Sequence, residues 1–283
     1  KEVKGRIASV NSTRKITSAM KMVASAKLHK AQAAIESMLP YERRLHHILT
    51  DFMSNCTEVT SPFIVKREVK KVAVVVFASN TSLCGGFNAN VIRHLVDLLA
   101  EYKPLGLENI LVFPVGKKVA DAVRKLGFRI EGDFQHMADK PSYQEAADLA
   151  ADLMKRFLHG DVDKVELLYN HFKSTASQIL TRETYLPIDL NNEKKEEERT
   201  IDYILEPSAE ELMQEMLPKV LRMKMFTVLL DSNAAEHAAR TMAMQIATDN
   251  ANELLQELTV MYNKSRQQSI TNELLDIVGG SMA

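Results

Sequence analysis

The chain has no tryptophan, few aromatic residues and only two cysteines, and each scarcity narrows the class of protein. Aromatic residues make up 6% of the 283 residues, whereas there are 14 methionines, which suits contacts between helices better than a dense aromatic core. Cys56 and Cys84 form neither a CxxC motif nor a metal-ligand spacing, so a reducing compartment without disulfides is expected. No apolar run approaches the ~18–20 residues of a transmembrane helix.

The chain as a whole also lacks a net excess of positive or negative charge. The 36 Lys and Arg residues and 37 Asp and Glu residues leave a net charge of -1, which drives the chain onto neither nucleic acid nor a membrane. The first thirty residues differ, because they hold many basic side chains and one acid, Glu2. This basic helix either faces solvent, contacts nucleic acid or lipid, or docks on acidic loops of a partner.

Motifs for catalysis or cofactor binding are missing as well. The segment Ser79–Asn88 (SNTSLCGGFN) lacks both GxGxxG and GxxxxGK[ST], so its glycines predict a tight turn rather than a phosphate site. Cys84 is predicted to be a small buried side chain, and Glu236-His237 a polar contact. The eight histidines form no metal motif. We therefore predict no catalytic, cofactor-binding or metal-binding residues and no enzyme activity of the chain alone.

One long helix is predicted over residues 3–55. From Leu28 to Phe52 apolar residues recur at steps of three and four, the spacing of a coiled-coil seam, with Pro40 as a local kink. Upstream the apolar stripe moves by one residue, to Ile16, Met20 and Val23, which suits a nearly straight helix.

A second long helix is predicted near the other end. It begins in a capping box of Ser208 and Glu211, bends near Pro218, and stops at Gly279-Gly280. Its last 52 residues contain no proline and no other glycine, so the helix needs a long partner helix or a protein to protrude into.

Between the two helices, strand and helix patterns alternate. Val72–Phe77 is an apolar, mostly β-branched run typical of a buried parallel strand. Further strands are predicted at Asn109–Val115, Phe128–Glu131, Lys164–Phe172, Ser177–Pro187 and Thr200–Leu205, with helices at 87–101, Lys117–Leu126 and Tyr143–Leu158. The charged run Asn191–Arg199 is interpreted as a solvated loop. The alternation predicts an α/β fold: a Rossmann-like, mostly parallel sheet flanked by long N- and C-terminal helices.

Three domains follow: an N-terminal coiled-coil helix (1–58), a central α/β domain (70–205) and a C-terminal coiled-coil helix (208–283). If the ends of the central domain lie close together, the two helices pair as an antiparallel coiled coil. The longer second helix then projects beyond the first.

Three sequence blocks resemble one family. They are RIASVNSTRKITSAMKMVASAKLHKA at the N-terminus, SLCGGFN in the middle, and AEHAARTMAMQIATDNA with YNKSRQQSITNELLDIVGG at the C-terminus. Together with the order helix, α/β domain, helix, they are similar to the gamma subunit of the F-type ATP synthase, its central rotor shaft. One departure is Asn80-Thr81-Ser82, where the family has Asp-Arg-Gly.

The resemblance implies a non-catalytic subunit that couples ion-driven rotation of a membrane c-ring to ATP synthesis or hydrolysis in beta subunits. The implied partners are three alpha and three beta subunits, an epsilon subunit and the c-ring, with no cofactor and no nucleic acid. The implied location is peripheral, on the cytoplasmic face of a bacterial inner membrane, or on the matrix side in mitochondria.

The resemblance also implies contact residues. Arg266, Gln267 and Thr271 would touch a loop of one beta subunit. A second set, Lys15, Met20 and Lys21, would lie beside acidic lever loops of beta. Near the c-ring and epsilon, the implied contact residues are Tyr203 and Glu206.

Two other functions are weighed against this one. A free-standing coiled-coil adaptor with a ligand-binding α/β head would form a self-contained oligomer. A nucleic-acid-binding arm on the basic helix would need aromatic residues for stacking, and the first thirty residues contain none. Copurification with alpha and beta subunits separates the rotor from the adaptor.

Overall fold

The structure, a computed structural model, describes residues 2–55, 61–188 and 209–281 of the chain. The predicted strand at Thr200–Leu205, the loop Asn191–Arg199 and the capping residue Ser208 lie outside the described residues. The elements in chain order are α1 (Glu2–Asn55), β1 (Val72–Phe77), α2 (Phe87–Tyr102), β2 (Ile110–Val115), α3 (Lys117–Leu126), β3 (Arg129–Ile130), α4 (Gln135–Asp139), α5 (Tyr143–His159), β4 (Lys164–Ser174), β5 (Ser177–Leu186) and α6 (Ala209–Ser281).

The two long helices are confirmed. Helix α1 has 54 residues and passes through Pro40, and α6 has 73 residues and passes through Pro218. The predicted stop at Gly279-Gly280 is wrong, because α6 continues to Ser281. Glycine ends a helix by taking a left-handed conformation, and these two glycines keep helical backbone instead.

The α/β fold class is also confirmed. Five described strands form one sheet in the order β3-β2-β1-β4-β5, with every pairing parallel except that of β4 with β5. The predicted strand and helix bounds agree within about two residues. The short helix α4 was not predicted, because five residues are too few to display a helical period.

Strand β1 is buried on both faces because each face of the sheet is covered by helices. Val72, Val74 and Val76 pack in a core with α2 and α3. Their neighbours Val75 and Phe77 face the opposite core, which is formed with α5 and α6. This two-sided burial explains why the strand is a continuous apolar run without polar alternation.

The two long helices pair antiparallel, as predicted. Arg14 on α1 donates to Asn252 on α6 (Nη1 to Oδ1, 3.3 Å), and further along α1 Lys21 donates to Gln245. At this register Glu2 lies opposite about residue 264, so the end of α6 extends past the described part of α1. We call the α1–α6 pair the shaft, the α/β domain of residues 61–188 the head, and residues 265–281 the tip.

The seam of the shaft differs from the prediction near its N-terminal end. Thr17 and Ala24 are buried there, whereas Ile16 and Val23 are 59% and 58% exposed. The hydroxyl groups of Thr17 and Thr248 hydrogen bond across the seam at 2.8 Å. Small side chains let the helices approach closely, so the larger apolar residues point outward.

One buried carboxylate organises the edge of the sheet. Glu166 on β4 is 2% exposed and accepts hydrogen bonds from Tyr102 (2.8 Å) and Arg182 (2.9 Å), with Lys164 Nζ 2.6 Å away. Arg182 also donates to Glu101 on α2 (2.7 Å). Burial alone would raise the pKa of Glu166, but these hydrogen bonds hold it below its usual value. The network attaches the antiparallel strand β5 to the parallel part of the sheet.

Candidate functional site: the shaft surface and its joint to the head

The crevice at the carboxyl ends of the strands is filled by α6. Where β4 ends, Asp231 of α6 accepts the Phe172 backbone N–H (2.8 Å) and lies 2.6 Å from His171 Nδ1. A small cavity between Phe77 at the end of β1 and Ser232 of α6 has room for about one water molecule. In doubly wound sheets this crevice is the usual ligand site. Here a helix of the same chain occupies it.

Two further side chains of α6 form hydrogen bonds with the head. Asn233 donates to the carbonyl of Ala138 at the end of α4 (2.9 Å). Arg240 donates to the carbonyl of Ser82 and to the hydroxyl of Thr81 (2.9 Å), and its guanidinium lies 2.7 Å from Glu236. We call Asp231, Asn233, Glu236 and Arg240, with their partners in the head, the joint.

The segment after β1 is shaped to meet the shaft. Leu83 has a left-handed backbone (φ 67°), and so has Gly85 (φ 59°), whose Cα faces Ala243 of α6 closely enough that an added Cβ would lie 3.8 Å away. The tight turn and the burial of Cys84 are confirmed. The turn places the carbonyl of Ser82 where Arg240 can reach it.

Asn80 holds the same segment from the side of the head. Its Oδ1 accepts the backbone N–H of Lys117 at the start of α3 (2.8 Å), and its Nδ2 donates to the carbonyl of Gln135 (2.8 Å). An aspartate could accept the first bond but could not donate the second. Asparagine therefore fits a segment that is anchored on both sides.

Glu236 and His237 lie side by side on α6 in different environments. The predicted polar contact is present for Glu236, which pairs with Arg240. Burial raises the pKa of Glu236, and the hydrogen bond from Arg240 opposes this increase. His237 Nδ1 is buried and has no hydrogen-bond partner within the described residues.

The predicted contact residues Lys15, Met20 and Lys21 lie on α1 beyond the joint. Lys15 is exposed, Met20 is half-buried, and Lys21 donates to Gln245 across the seam. One of the two lysines is thus free to face outward and the other also braces the helix pair. Exposed Ile16 and Val23 lie on the same stretch.

The other set of predicted contact residues lies at the tip. Arg266, Gln267 and Thr271 are exposed, and the Thr271 hydroxyl donates to the Gln267 carbonyl (2.9 Å). At the observed register Lys15 faces about residue 251, so Arg266 is roughly 22 Å further along the shaft at 1.5 Å per residue. The structure does not bring the two sets together. They form two separate levels of one surface.

Sequence patterns predicted that the second helix needs a partner, but they did not identify which apolar residues of the shaft face outward. Large exposed apolar side chains occupy both helices of the shaft beyond the joint and continue along the tip: Ile16, Met22, Val23, Ile246, Leu254, Val260, Met261, Ile270, Leu274, Leu275, Ile277 and Val278. Heptad spacing identifies apolar residues but does not say which of them face the partner helix. So many exposed apolar residues along one rod indicate a surface that another protein covers.

The part of the chain that the structure describes contains neither a cluster of metal ligands nor a membrane-spanning helix. There, no group of three or more His, Cys, Asp or Glu side chains is placed to hold a metal ion. None of the described helices combines the length and the apolar character needed to cross a bilayer.

Comparison with known proteins identifies relatives over the full chain. A family model described as "ATP synthase" matches residues 1–283. The ATP synthase gamma chain of Phocaeicola vulgatus is 81% identical over 285 residues, covering 100% of this chain and 99% of the relative. That of Bacteroides fragilis is 64% identical over 286 residues, covering 100% and 99%.

A solved structure has the same fold at low sequence identity. A chain in the cryo-EM structure of the Euglena gracilis mitochondrial ATP synthase, OSCP/F1/c-ring, matches with a TM-score of 0.66 and 22% identity. The match covers 99% of this chain and 93% of that one. The fold of two long helices flanking an α/β head is therefore shared with that chain.

Proposed function

This chain belongs to the family of ATP synthase gamma chains, and from that premise we propose that it works as the central rotor of an F-type ATP synthase. Its shaft would turn inside a ring of three alpha and three beta subunits. The beta subunits would make or hydrolyse ATP, and this chain would couple them to ion-driven rotation of the c-ring without catalysis of its own.

The observation that carries this proposal is the outward apolar surface of the shaft and tip. The exposed fraction of Val260 is 68%, and Ile277 at the tip has the same value. Such a rod needs a cover along much of its length. The cavity of a ring of subunits would supply one on all sides, and smooth apolar contact would let the rod turn without breaking many directional bonds.

A rotor must also act differently on chemically equivalent sites. Each beta conformation can be favoured only by a difference in contact energy with the face of the rotor that it meets. We infer that Lys15, Met20 and Lys21, on the part of the shaft nearer the head, act beside acidic loops of beta. Arg266, Gln267 and Thr271, at the tip, would contact a loop of one beta subunit. A charged group on the rotor can form a hydrogen bond with one beta subunit at one angular position and release it at another, so it acts on one of the equivalent sites at a time.

The joint gives the rotor a way to carry torque from the head to the shaft. Asp231, Asn233 and Arg240 hold the end of β4, the end of α4 and the segment after β1 respectively. Three attachment points on different elements resist twisting of α6 relative to the sheet. Torque applied to the head would thus enter the shaft through the joint.

The head, at the end of the rotor opposite the tip, would contact the epsilon subunit and the c-ring. Tyr203 and Glu206, proposed for this contact, lie outside the described residues. The chain would then be peripheral to the membrane, on the cytoplasmic face of a bacterial inner membrane.

Copurification tests the rotor directly. A tagged chain expressed in its own cells is expected to bring down alpha and beta subunits at three copies each, as measured by native mass spectrometry. A monodisperse homodimer without them would contradict the rotor and favour the coiled-coil adaptor. The helix in the crevice of the head already disfavours the ligand-binding head of that adaptor.

Replacing Arg266 by alanine is expected to weaken the complex while the chain stays folded. A charge-assisted hydrogen bond is worth about 1.5–3 kcal/mol, which corresponds to roughly a 10- to 150-fold loss in affinity at that contact. Titration of the full chain into alpha–beta assemblies measures this loss, together with ATPase activity. Lys264→Ala, at another exposed basic residue on α6, is the matched control and should change little. Unchanged assembly and unchanged activity in Arg266→Ala would contradict the assignment.

A further inference from the structure

His237 lies where the shaft leaves the head, in surroundings that disfavour protonation of its ring. The residue is 7% exposed, and its Nδ1 finds no hydrogen-bond partner among the described residues. A neutral imidazole can leave Nδ1 without a hydrogen, whereas a protonated one must donate from both nitrogens. Protonation would therefore bury a donor with nothing to receive it.

The charges around the ring add to this difficulty. Lys27 of α1 and Arg240 of α6 are the cations that act on it, and Asp139 at the end of α4 is the opposing acid. Glu236, the neighbouring carboxylate on α6, is already paired with Arg240 at 2.7 Å. A proton on His237 would place a third cation in this group.

The resulting pH dependence has a definite sign. Burial first, and then Lys27 and Arg240, lower the pKa of His237 from 6.5 to about 4, against the effect of Asp139. A state in which the ring reaches water binds the proton near pH 6.5. The closed arrangement is thus fully favoured above pH 6.5 and loses stability as the pH falls toward 4.

We propose that His237 makes the contact between α1 and α6 beside the joint acid-sensitive, so that a proton on the ring favours local separation of the two helices. Separation would expose the ring to water and move Lys27 away from it. The further consequence, a loss of torque transmission at low pH, rests on the proposed rotor function. The separation itself does not.

Hydrogen exchange of the assembled complex tests the separation. Backbone amides of residues 24–31 and 234–241 are followed by mass spectrometry at pH 7.5 and pH 5, after correction for the intrinsic pH dependence of exchange. One proton bound in the open state with these two pKa values predicts about a 30-fold rise in the opening equilibrium at pH 5. His237→Gln, which cannot take up the proton, should remove most of this rise.

Two other variants make the test specific. His29→Gln changes an exposed histidine on the facing helix and should keep the full rise. Lys27→Gln removes one of the two cations and should make the rise smaller, which provides a reading even if His237→Gln assembles poorly. An equal rise in the native chain and in His237→Gln, or an unchanged rise in Lys27→Gln, would overturn the proposal. Copurification with alpha and beta subunits tests the rotor function independently of this result.

Discussion

Replacing Arg240 by leucine is expected to lower the free energy of unfolding by about 3 kcal/mol or more and to reduce ion pumping per ATP hydrolysed. Removing one partner of a buried ion pair leaves the other charge unpaired at a cost of about 3–5 kcal/mol. Here that charge is the Glu236 carboxylate, whose side chain is 10% exposed. The same change removes both bonds to the segment after β1. Urea unfolding of the full chain measures the first effect, and ATP-driven ion uptake by membrane vesicles measures the second.

Two control variants separate the joint from general destabilisation. The double variant Arg240→Leu with Glu236→Leu removes both charges, so it should unfold less readily than Arg240→Leu alone. It should nevertheless couple poorly, because the bonds to Ser82 and Thr81 are still missing. Lys219→Leu breaks an exposed ion pair with Glu215 on the same helix and should affect neither measurement much. Full pumping by Arg240→Leu at normal ATPase rates would contradict a torque-carrying joint.

Replacing Glu166 by alanine is expected to lower the free energy of unfolding by about 3 kcal/mol. The change leaves Lys164 and Arg182 without their shared carboxylate and opens a cavity in the sheet. Glu101→Ala is the matched control, because Glu101 binds the same Arg182 but is 57% exposed, and its loss should cost less than about 1 kcal/mol. Equal losses in the two variants would show that burial does not set the strength of this network.

The pH dependence of unfolding tests the lowered pKa of Glu166 independently. Because its pKa is held below the usual value of 4.5, its contribution is present above that pH and is lost as the pH falls through the lowered pKa. Glu166→Gln should therefore unfold with a weaker dependence on pH below about 4.5 than the native chain. Chemical unfolding at pH 3 to 7 gives the comparison, and identical slopes would contradict the lowered pKa.

Sequence patterns predicted those parts of the fold that depend on local periodicity. The run Val72–Phe77 predicted a strand buried on both sides, and the absence of proline and glycine from most of α6 predicted a single long helix. These predictions succeed because strand and helix periods are set by residues a few positions apart. The short helix α4 offers too few residues for such a pattern.

The joint could not be predicted in the same way. Arg240 and Ser82 are 158 positions apart, and no local pattern links an arginine on a helix to a carbonyl in a distant turn. The seam was misassigned for a related reason. Thr17 is buried between the paired helices, where its hydroxyl group hydrogen bonds with that of Thr248, while the more apolar Ile16 faces outward. This contact exists only because two distant segments of the chain pair.

The register of the shaft has a mechanical consequence. From the head to about residue 264 two helices lie side by side, whereas the tip is a single helix where the described part of α1 has ended. A pair of bonded rods resists bending far more than one rod does, because material lies further from the bending axis. The paired part of the shaft should therefore be stiff and the tip compliant. The tip could then bend to fit the surrounding ring of subunits, while the helix pair transmits the torque.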